Sequence, residues 1–243
     1  MTKKDKNLLT ISETAEFLGV SIDTLRRWDS KGKLKALRSS GGHRYYSKDQ
    51  LENFVLNFRT IARVWAESQT APELSPDYYC YAQDIFKARL DKLAFELERD
   101  SSVKNLAPLI TAVTGEIGNN SFDHNFGNWP DIPGIFFAYD TNKHIIALAD
   151  RGVGIRATLL RVRPDLKDDI AALRVAFTER VSGRFPEQRG NGLKFVNNVA
   201  TKNPIGVSLQ SGAAVAEIAK KNGFLKVGLA DRYIRGTLTI ITY

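Results

Sequence analysis

Apolar residues recur at helical spacing early in the chain and again beyond residue 83, with short strand-like runs between and after. Thr10-Ile11-Ser12-Glu13 has the form of a capping box, a hydroxyl with a carboxylate three residues on. Ala15, Phe17 and Leu18 then predict a short helix that Gly19 ends. Ser21 can cap a second helix from Ile22 to about Lys31. Its apolar positions Ile22, Leu25 and Trp28 face inward at intervals of three, with Asp23, Arg26, Arg27 and Asp29 on other sides. Gly32 closes it. Two short helices joined by a tight turn form a helix-turn-helix. The run Leu34–Arg38, the turn Ser39-Ser40-Gly41-Gly42 and the run His43–Tyr46 then predict a hairpin, or wing. Ser47-Lys48-Asp49-Gln50 is a second capping box, opening a helix with Leu51, Phe54, Val55 and Phe58 inward.

Residues 68–77 hold Pro72 and Pro76 among small polar residues and predict a break, since proline disfavours helix at the residue before it. A helix is expected over Asp84–Glu98, with Ile85, Leu90, Leu93, Ala94 and Leu97 recurring near helical period, and another from about Asn105 to Phe126. The runs 135–139 and 145–149 predict two strands joined at 140–143. Beyond Gly192, the residues Leu193, Phe195, Val196 and Val199 predict an apolar helix, and a last strand follows Gly236-Thr237. The expected class is α+β, with a head over 1–66, a linker over 67–84 and a body over 85–243.

Composition narrows the function. The 243 residues are 43% hydrophobic and 26% charged, ordinary for a globular chain, with a formal net charge of +8. Residues 1–60 carry twelve Lys/Arg against seven Asp/Glu, so most of the excess positive charge lies in the first quarter. That favours a polyanionic partner. The lone Cys80 excludes a disulfide framework within one chain, and His43, His124 and His144 lack metal-ligand spacing. Neither a signal peptide nor a membrane span is expected, and a cytoplasmic location follows.

Thr24-Leu25-Arg26-Arg27-Trp28, Gly32-Lys33-Leu34 and Gly41-Gly42-His43-Arg44-Tyr45 together resemble the winged helix-turn-helix of MerR-type regulators and phage excisionases, over about residues 8–58. The resemblance implies double-stranded DNA as partner, with a recognition helix in the major groove and a wing along the backbone. Arg26 and Arg27 are the expected groove contacts, with Arg38, His43 and Arg44 at the wing. The planar arginine fork suits both base edges and phosphates. Trp28 and Tyr45 are assigned to the core. Palindromic reading by such proteins usually takes two copies, so a homodimer is expected.

In the body, spacing by four puts Glu116, Asn120 and His124 on one helix face. An amide oxygen there can ligate Mg²⁺, and a carboxylate one turn away can orient or deprotonate water. Asp150-Arg151-Gly152-Val153-Gly154 places an acid at a strand end before spaced glycines, which let backbone approach a ligand. Arg189-Gly190-Asn191-Gly192-Leu193 precedes a helix, whose first N–H groups favour anions. In this order, with Gly236-Thr237 before the last strand, these motifs resemble the GHKL ATPase family. That family includes gyrase, histidine kinases and anti-sigma-factor serine kinases, and His124 brings the chain closest to the last branch. The resemblance covers about residues 85–243 and implies a two-layer α/β sandwich of the Bergerat type.

Carried over by position, the resemblance implies ATP and Mg²⁺ as cofactors. Asn120 ligates Mg²⁺, and Glu116 is the catalytic base if ATP is hydrolysed. Asp150 accepts from the adenine amino group with support from Thr237, and Gly152 and Gly154 pass close to the nucleotide. Gly190 and Gly192 hold phosphates, with Asp123, Arg189 and Leu193 among the nucleotide-binding positions. Residues 156–189 form a lid carrying Arg161, Arg163, Arg180, Arg184 and Arg189. The absence of a phosphoacceptor histidine upstream makes a sensor kinase a poor fit. The expected function is an ATP-binding, DNA-binding transcriptional regulator with ATP hydrolysis. The alternatives are an anti-sigma-like serine/threonine kinase acting on a partner protein, and the DNA-binding autorepressor of a toxin–antitoxin or defence module.

Overall fold

The structure, a computed structural model, describes residues 8–18, 21–32, 34–39, 41–125, 127–180, 192–221 and 223–243, with the backbone alone at 52, 53 and 55–57. The chain forms two units, Met1–Thr60 and Ile61–Tyr243. Its class is mixed α+β.

In the first unit, β1 (Leu8–Thr10) leads into α1 (Ile11–Leu18) and α2 (Ile22–Ser30), and β2 (Leu37–Arg38) and β3 (Arg44–Ser47) lead into α3 (Lys48–Glu67). The three strands form an antiparallel sheet in the order β1-β3-β2. The first capping box closes in both directions. The Glu13 N–H donates to Thr10 Oγ1 at 3.3 Å, and the Thr10 N–H donates to Glu13 Oε2 at 2.8 Å. Ser21 caps α2 by accepting from the Thr24 N–H at 3.1 Å. Ser47 caps α3 through the Gln50 N–H at 3.1 Å, but the Gln50 amide donates to the Lys35 carbonyl instead of returning to the cap. Leu25, Trp28, Leu34, Tyr46 and Leu51 form the core, with Phe54 stacked at a tilt on Trp28. Tyr45 is only half-buried; its neighbour Tyr46 takes the buried position. Gly19, the expected end of α1, lies outside the described residues.

The second unit is a five-stranded sheet in the order β4-β5-β6-β8-β7, antiparallel at every pairing. The strands are β4 (Tyr79–Cys80), β5 (Ile135–Asp140), β6 (Ile145–Asp150), β7 (Gly206–Ile218) and β8 (Lys226–Thr242). The helices are α4 (Gln83–Arg99), α5 (Ala107–Asn125), α6 (Gly154–Leu159), α7 (Asp169–Thr178) and α8 (Gly192–Lys202). One core joins Phe86, Leu93 and Leu97 of α4, Ile110, Val113 and Ile117 of α5, and Val196 and Val199 of α8 to the sheet. Burying such apolar side chains contributes about 1.5–3 kcal/mol each and dominates the stability of this layer.

Two expectations need correcting. The linker expected over 67–84 carries strand β4, whose Tyr79 pairs with Phe136 at the sheet edge, and its last two residues begin α4. The proline break precedes this strand but does not detach it. The lid expected over 156–189 contains most of α6 and all of α7, because the run Ala171–Phe177 buries Ala172, Leu173, Val175 and Phe177. The apolar helix expected beyond Gly192 forms as α8, where Val196 and Val199 carry the packing and Phe195 is exposed.

Side chains alternate along a strand. Ile146 and Leu148 therefore join the helix-side core, and Asp150 continues on that side. Arg151 follows on the other side and is fully buried. It donates to Asp131 Oδ2 from Nε at 2.9 Å and Nη2 at 2.6 Å, to the Gln69 carbonyl at 3.2 Å, and to the Trp65 carbonyl. Its guanidinium lies 5.9 Å from the centre of the Trp65 ring. Arg151 thus fixes the residues around the end of α3 to the strand end that carries Asp150.

Replacing Arg151 by methionine removes every one of these donors while keeping a long apolar stem. The second unit is expected to lose about 2–4 kcal/mol, measured by urea unfolding of the full chain. An unchanged midpoint would show that the cluster contributes no net stability.

Candidate functional site

The polar surface of the first unit is built on α2 and the wing. Arg26 and Arg27 are exposed on α2, and Arg26 pairs with Asp23 at 2.9 Å. The wing turn is closed by the Ser39 N–H on the His43 carbonyl at 3.0 Å and the Gly42 N–H on the Ser39 carbonyl at 2.9 Å, which leaves His43 exposed at the turn. Arg38 and Arg44 stand opposite each other across the β2–β3 pair. Like charges so placed repel. Asp29 resolves the conflict: its Oδ2 accepts from Arg38 Nη2 and Arg44 Nε, both at 2.7 Å, and its Oδ1 accepts from the Ala36 N–H at 3.0 Å. The Ala36 N–H and the two guanidiniums hold the Asp29 carboxyl below the usual carboxylate range. Asp29 was expected on an outer side of α2; its side chain is only 10% exposed because the wing folds over it.

In the second unit, polar groups gather around the C-terminal half of α5. Asp150 is fully buried at the end of β6. Its Oδ1 accepts from the Gly152 N–H at 2.8 Å, and its Oδ2 accepts from Ser121 Oγ at 2.8 Å and from Thr237 Oγ1. Donors from α5, from β8 and from its own loop therefore meet on one carboxylate. Burial pushes the Asp150 carboxyl above its ordinary range, opposed by the Thr237 hydroxyl, the Gly152 N–H, the Ser121 hydroxyl and the Thr237 N–H. One turn further along α5, Asn125 accepts from the Val153 N–H at 2.9 Å and donates to the Ser121 carbonyl at 2.7 Å, which sets the loop against the helix. Gly236 has φ +70, and a methyl group built on it would stand 2.3 Å from the Asp150 carbonyl. Only glycine permits β8 to pass this close.

Glu116 and Asn120 lie about two turns and one turn before His124 on the same helix. The start of α8 reaches them directly: a methyl group on Gly192 would stand 2.6 Å from Glu116 Oε2 and 3.0 Å from Asn120 Nδ2. Segments near 116–125, 150–154, 192 and 236–237 are thus brought together, although they are far apart in sequence. Ser121 follows Asn120 directly in the chain, so α5 links the Asp150 cluster to the Gly192 contact. Burial, helped by the positive charge of Arg161, holds the His124 imidazole below its usual range. Asp123 is half-buried on the last turns of α5, and Leu193 packs partly against the core. Gly154 begins α6 with φ +80.

Of the arginines expected in a lid, Arg163 is held by Asp165 at 2.9 Å and Glu179 at 2.6 Å. Arg161 and Arg180 are exposed. Arg184, Arg189 and Gly190 lie outside the described residues. Sequence reasoning missed Ser121, Asn125 and Ser211. Ser211 Oγ accepts from the Ile155 N–H at 3.0 Å and donates to the Gly236 carbonyl at 3.1 Å, tying the start of α6 to β8. Small polar residues in apolar elements were the only signal available for them. Among the described residues, no group of three or more His, Cys, Asp or Glu is placed to hold a metal. Nor is any helix of the described residues long and apolar enough to cross a membrane.

Residues 10–46 match the family model described as MerR family regulatory protein. This segment is a MerR-type helix-turn-helix domain. The match supports a DNA-binding role for this segment, whose α2 and wing carry the exposed arginines. A type II methyltransferase of Escherichia coli, M.Eco47II, is 50% identical to this chain over 50 residues, which make up 20% of this chain and 12% of that protein. The chain spans only a small part of that curated relative's length. The MerR-type match ends within the first unit and does not extend to the Asp150 cluster.

The Asp150 cluster makes a prediction about stability. A carboxyl whose folded pKa is raised above its unfolded value of about 3.9 lowers stability as pH rises past that value. Asp150→Asn removes this cost. At pH 7 the variant is expected to melt at or above the wild-type temperature, with the difference shrinking as pH falls toward about 4. Thermal melts of both chains across that range test this. A variant that melts well below wild type at pH 7 would mean that the three hydrogen bonds outweigh the burial cost.

Proposed function

We propose that this chain is a DNA-binding transcriptional regulator whose second unit is a GHKL-type domain that binds an adenine nucleotide with Mg²⁺ and hydrolyses it. The observation that supports this reading best is the meeting of the Glu116–Asn120 face, the Asp150–Gly152 loop, Gly192 and Thr237 around one end of α5. Its donor set fits such a ligand. An ionised carboxylate has about four lone-pair positions. Ser121, Thr237 and the Gly152 N–H all meet Asp150, and in this reading the carboxylate would face the exocyclic amino group of the base. Ser121, Thr237 and the Gly152 N–H would orient that carboxylate. Asn120 presents an amide oxygen suited to a hard cation. Gly192 lets the first turn of α8, with its unpaired N–H groups, come close to the Glu116–Asn120 face, where phosphates would be favoured. Mg²⁺, if bound, would neutralise phosphate charge, and Glu116 would orient the attacking water and accept its proton.

In the DNA-binding unit, Arg26 and Arg27 would contact base edges, and Arg38, His43 and Arg44 the backbone. A homodimer belongs to this reading, because two recognition helices then meet two half-sites. Nucleotide can shift DNA affinity only if it binds two states of the chain differently.

Calorimetry with Mg-ADP and steady-state ATP turnover on the full chain test the nucleotide reading. Wild type is expected to bind. Asp150→Asn and Asn120→Ala are expected to bind at least about tenfold more weakly, the loss of one good hydrogen bond or ligand. Glu116→Ala is expected to keep binding and to lose about 10²–10⁴ in turnover. The absence of any heat with wild type, or unchanged affinity and turnover in all three variants, overturns the reading.

A further inference from the structure

We infer that Asp29 is the positioning residue of the DNA interface: it holds Arg38 and Arg44 side by side as one preformed phosphate clamp and fixes that clamp to the recognition helix. Several independent observations meet on this carboxylate. Asp29 directly follows the buried Trp28 on α2, so its backbone is fixed by the core. Its Oδ1 is held by the Ala36 N–H at the base of the wing, and its Oδ2 receives both guanidiniums at 2.7 Å. Two arginines opposite each other in a sheet would otherwise splay apart. Long flexible side chains also lose rotamer freedom on binding a phosphate, and ordering them beforehand reduces that cost. Asp29 is nearly covered, whereas Arg38 is 49% and Arg44 26% exposed, so the two cations and not the acid face solvent. A guanidinium has five N–H donors, and Arg44 commits Nε to this contact. The cluster keeps a net positive charge, and its shape is set before DNA arrives. Asp23, by contrast, pairs with Arg26 at the open surface, with both side chains mostly exposed, and fixes nothing beyond its own helix.

This role makes a prediction opposite to that of simple electrostatics. Removing a negative charge from a DNA-facing surface should tighten binding to a polyanion. If Asp29 positions the clamp, the isosteric Asp29→Asn weakens recognition instead. The experiment uses the full chain, a duplex enriched from a random pool by the wild-type protein, and a second duplex of equal length and unrelated sequence. Fluorescence anisotropy is recorded between 50 and 200 mM salt, conditions over which phosphate contacts dominate the change in affinity.

For Asp29→Asn, affinity for the enriched duplex is expected to fall about tenfold or more, and the slope of log K against log salt to shrink by about one phosphate contact. Affinity for the unrelated duplex is expected to stay level or rise. In a chain that already carries Arg38→Met and Arg44→Met, Asp29→Asn is expected to add no further loss, because its effect runs through those two side chains. Near-ultraviolet circular dichroism confirms that the head is folded. Should Asp29→Asn unfold it, Arg44→Lys serves in its place: it keeps the charge but not the planar fork, and is expected to show the same tenfold loss. Enriched-duplex binding by the folded variant at wild-type strength or tighter, with an undiminished salt slope, overturns the inference. So does an equal further loss in the chain that lacks both arginines.

Discussion

A buried carboxylate must be met by donors or it destabilises the fold around it. Asp150 is the point at which the second unit obeys that constraint. Its oxygens draw Ser121 from α5, Thr237 from β8 and the Gly152 N–H from the loop beyond β6. Each of these carries its own segment to the same place. β8 can approach only because Gly236 has no side chain, and the loop is held down by Asn125. The sheet order, the end of α5 and the course of the last strand are mutually consistent because they share this one charge. Without Asp150 the apolar layers would still pack, but Ser121, Thr237 and the Gly152 N–H would lose the acceptor they share.

The first unit uses the same device at its surface. Asp29 takes a backbone N–H and two guanidiniums, and so joins α2 to the wing. In both places an acid next to a core element collects donors from segments that sequence alone leaves unconnected. The difference lies in exposure and sign. Asp150 is buried, which raises its proton affinity; at Asp29 the Ala36 N–H and two guanidiniums lower it. The former suits recognition of a neutral amino group, and the latter suits organisation of a positive surface.

Much of this architecture is legible in the sequence. The capping box at Thr10, the caps at Ser21 and Ser47, the turn at Gly32, the wing and the 135–150 hairpin follow from local chemistry, which the chain states residue by residue. Spacing by four was enough to put Glu116 and Asn120 on one face of α5. What was not legible depends on contacts between distant segments. A helical wheel placed Asp29 on an outer side, because the wing that covers it is a separate element. Tyr79–Cys80 read as linker, since a two-residue strand exists only by virtue of its partner β5. Arg151 carried no signal: an arginine between an acid and a glycine looks exposed until the strand alternation and Trp65 are known. Ser121 and Asn125 were hidden for a similar reason, as polar residues on an otherwise buried helix that meet their partners across the fold.

The central claim is that four distant segments form a single ligand pocket around the end of α5. Amide hydrogen exchange of the full chain with and without saturating Mg-ADP tests it most directly. The account predicts that residues 150–154, the first turn of α8 and residues 236–237 gain protection together, over the same range of nucleotide concentration. Protection confined to one of these segments, or no change in any of them, would contradict it.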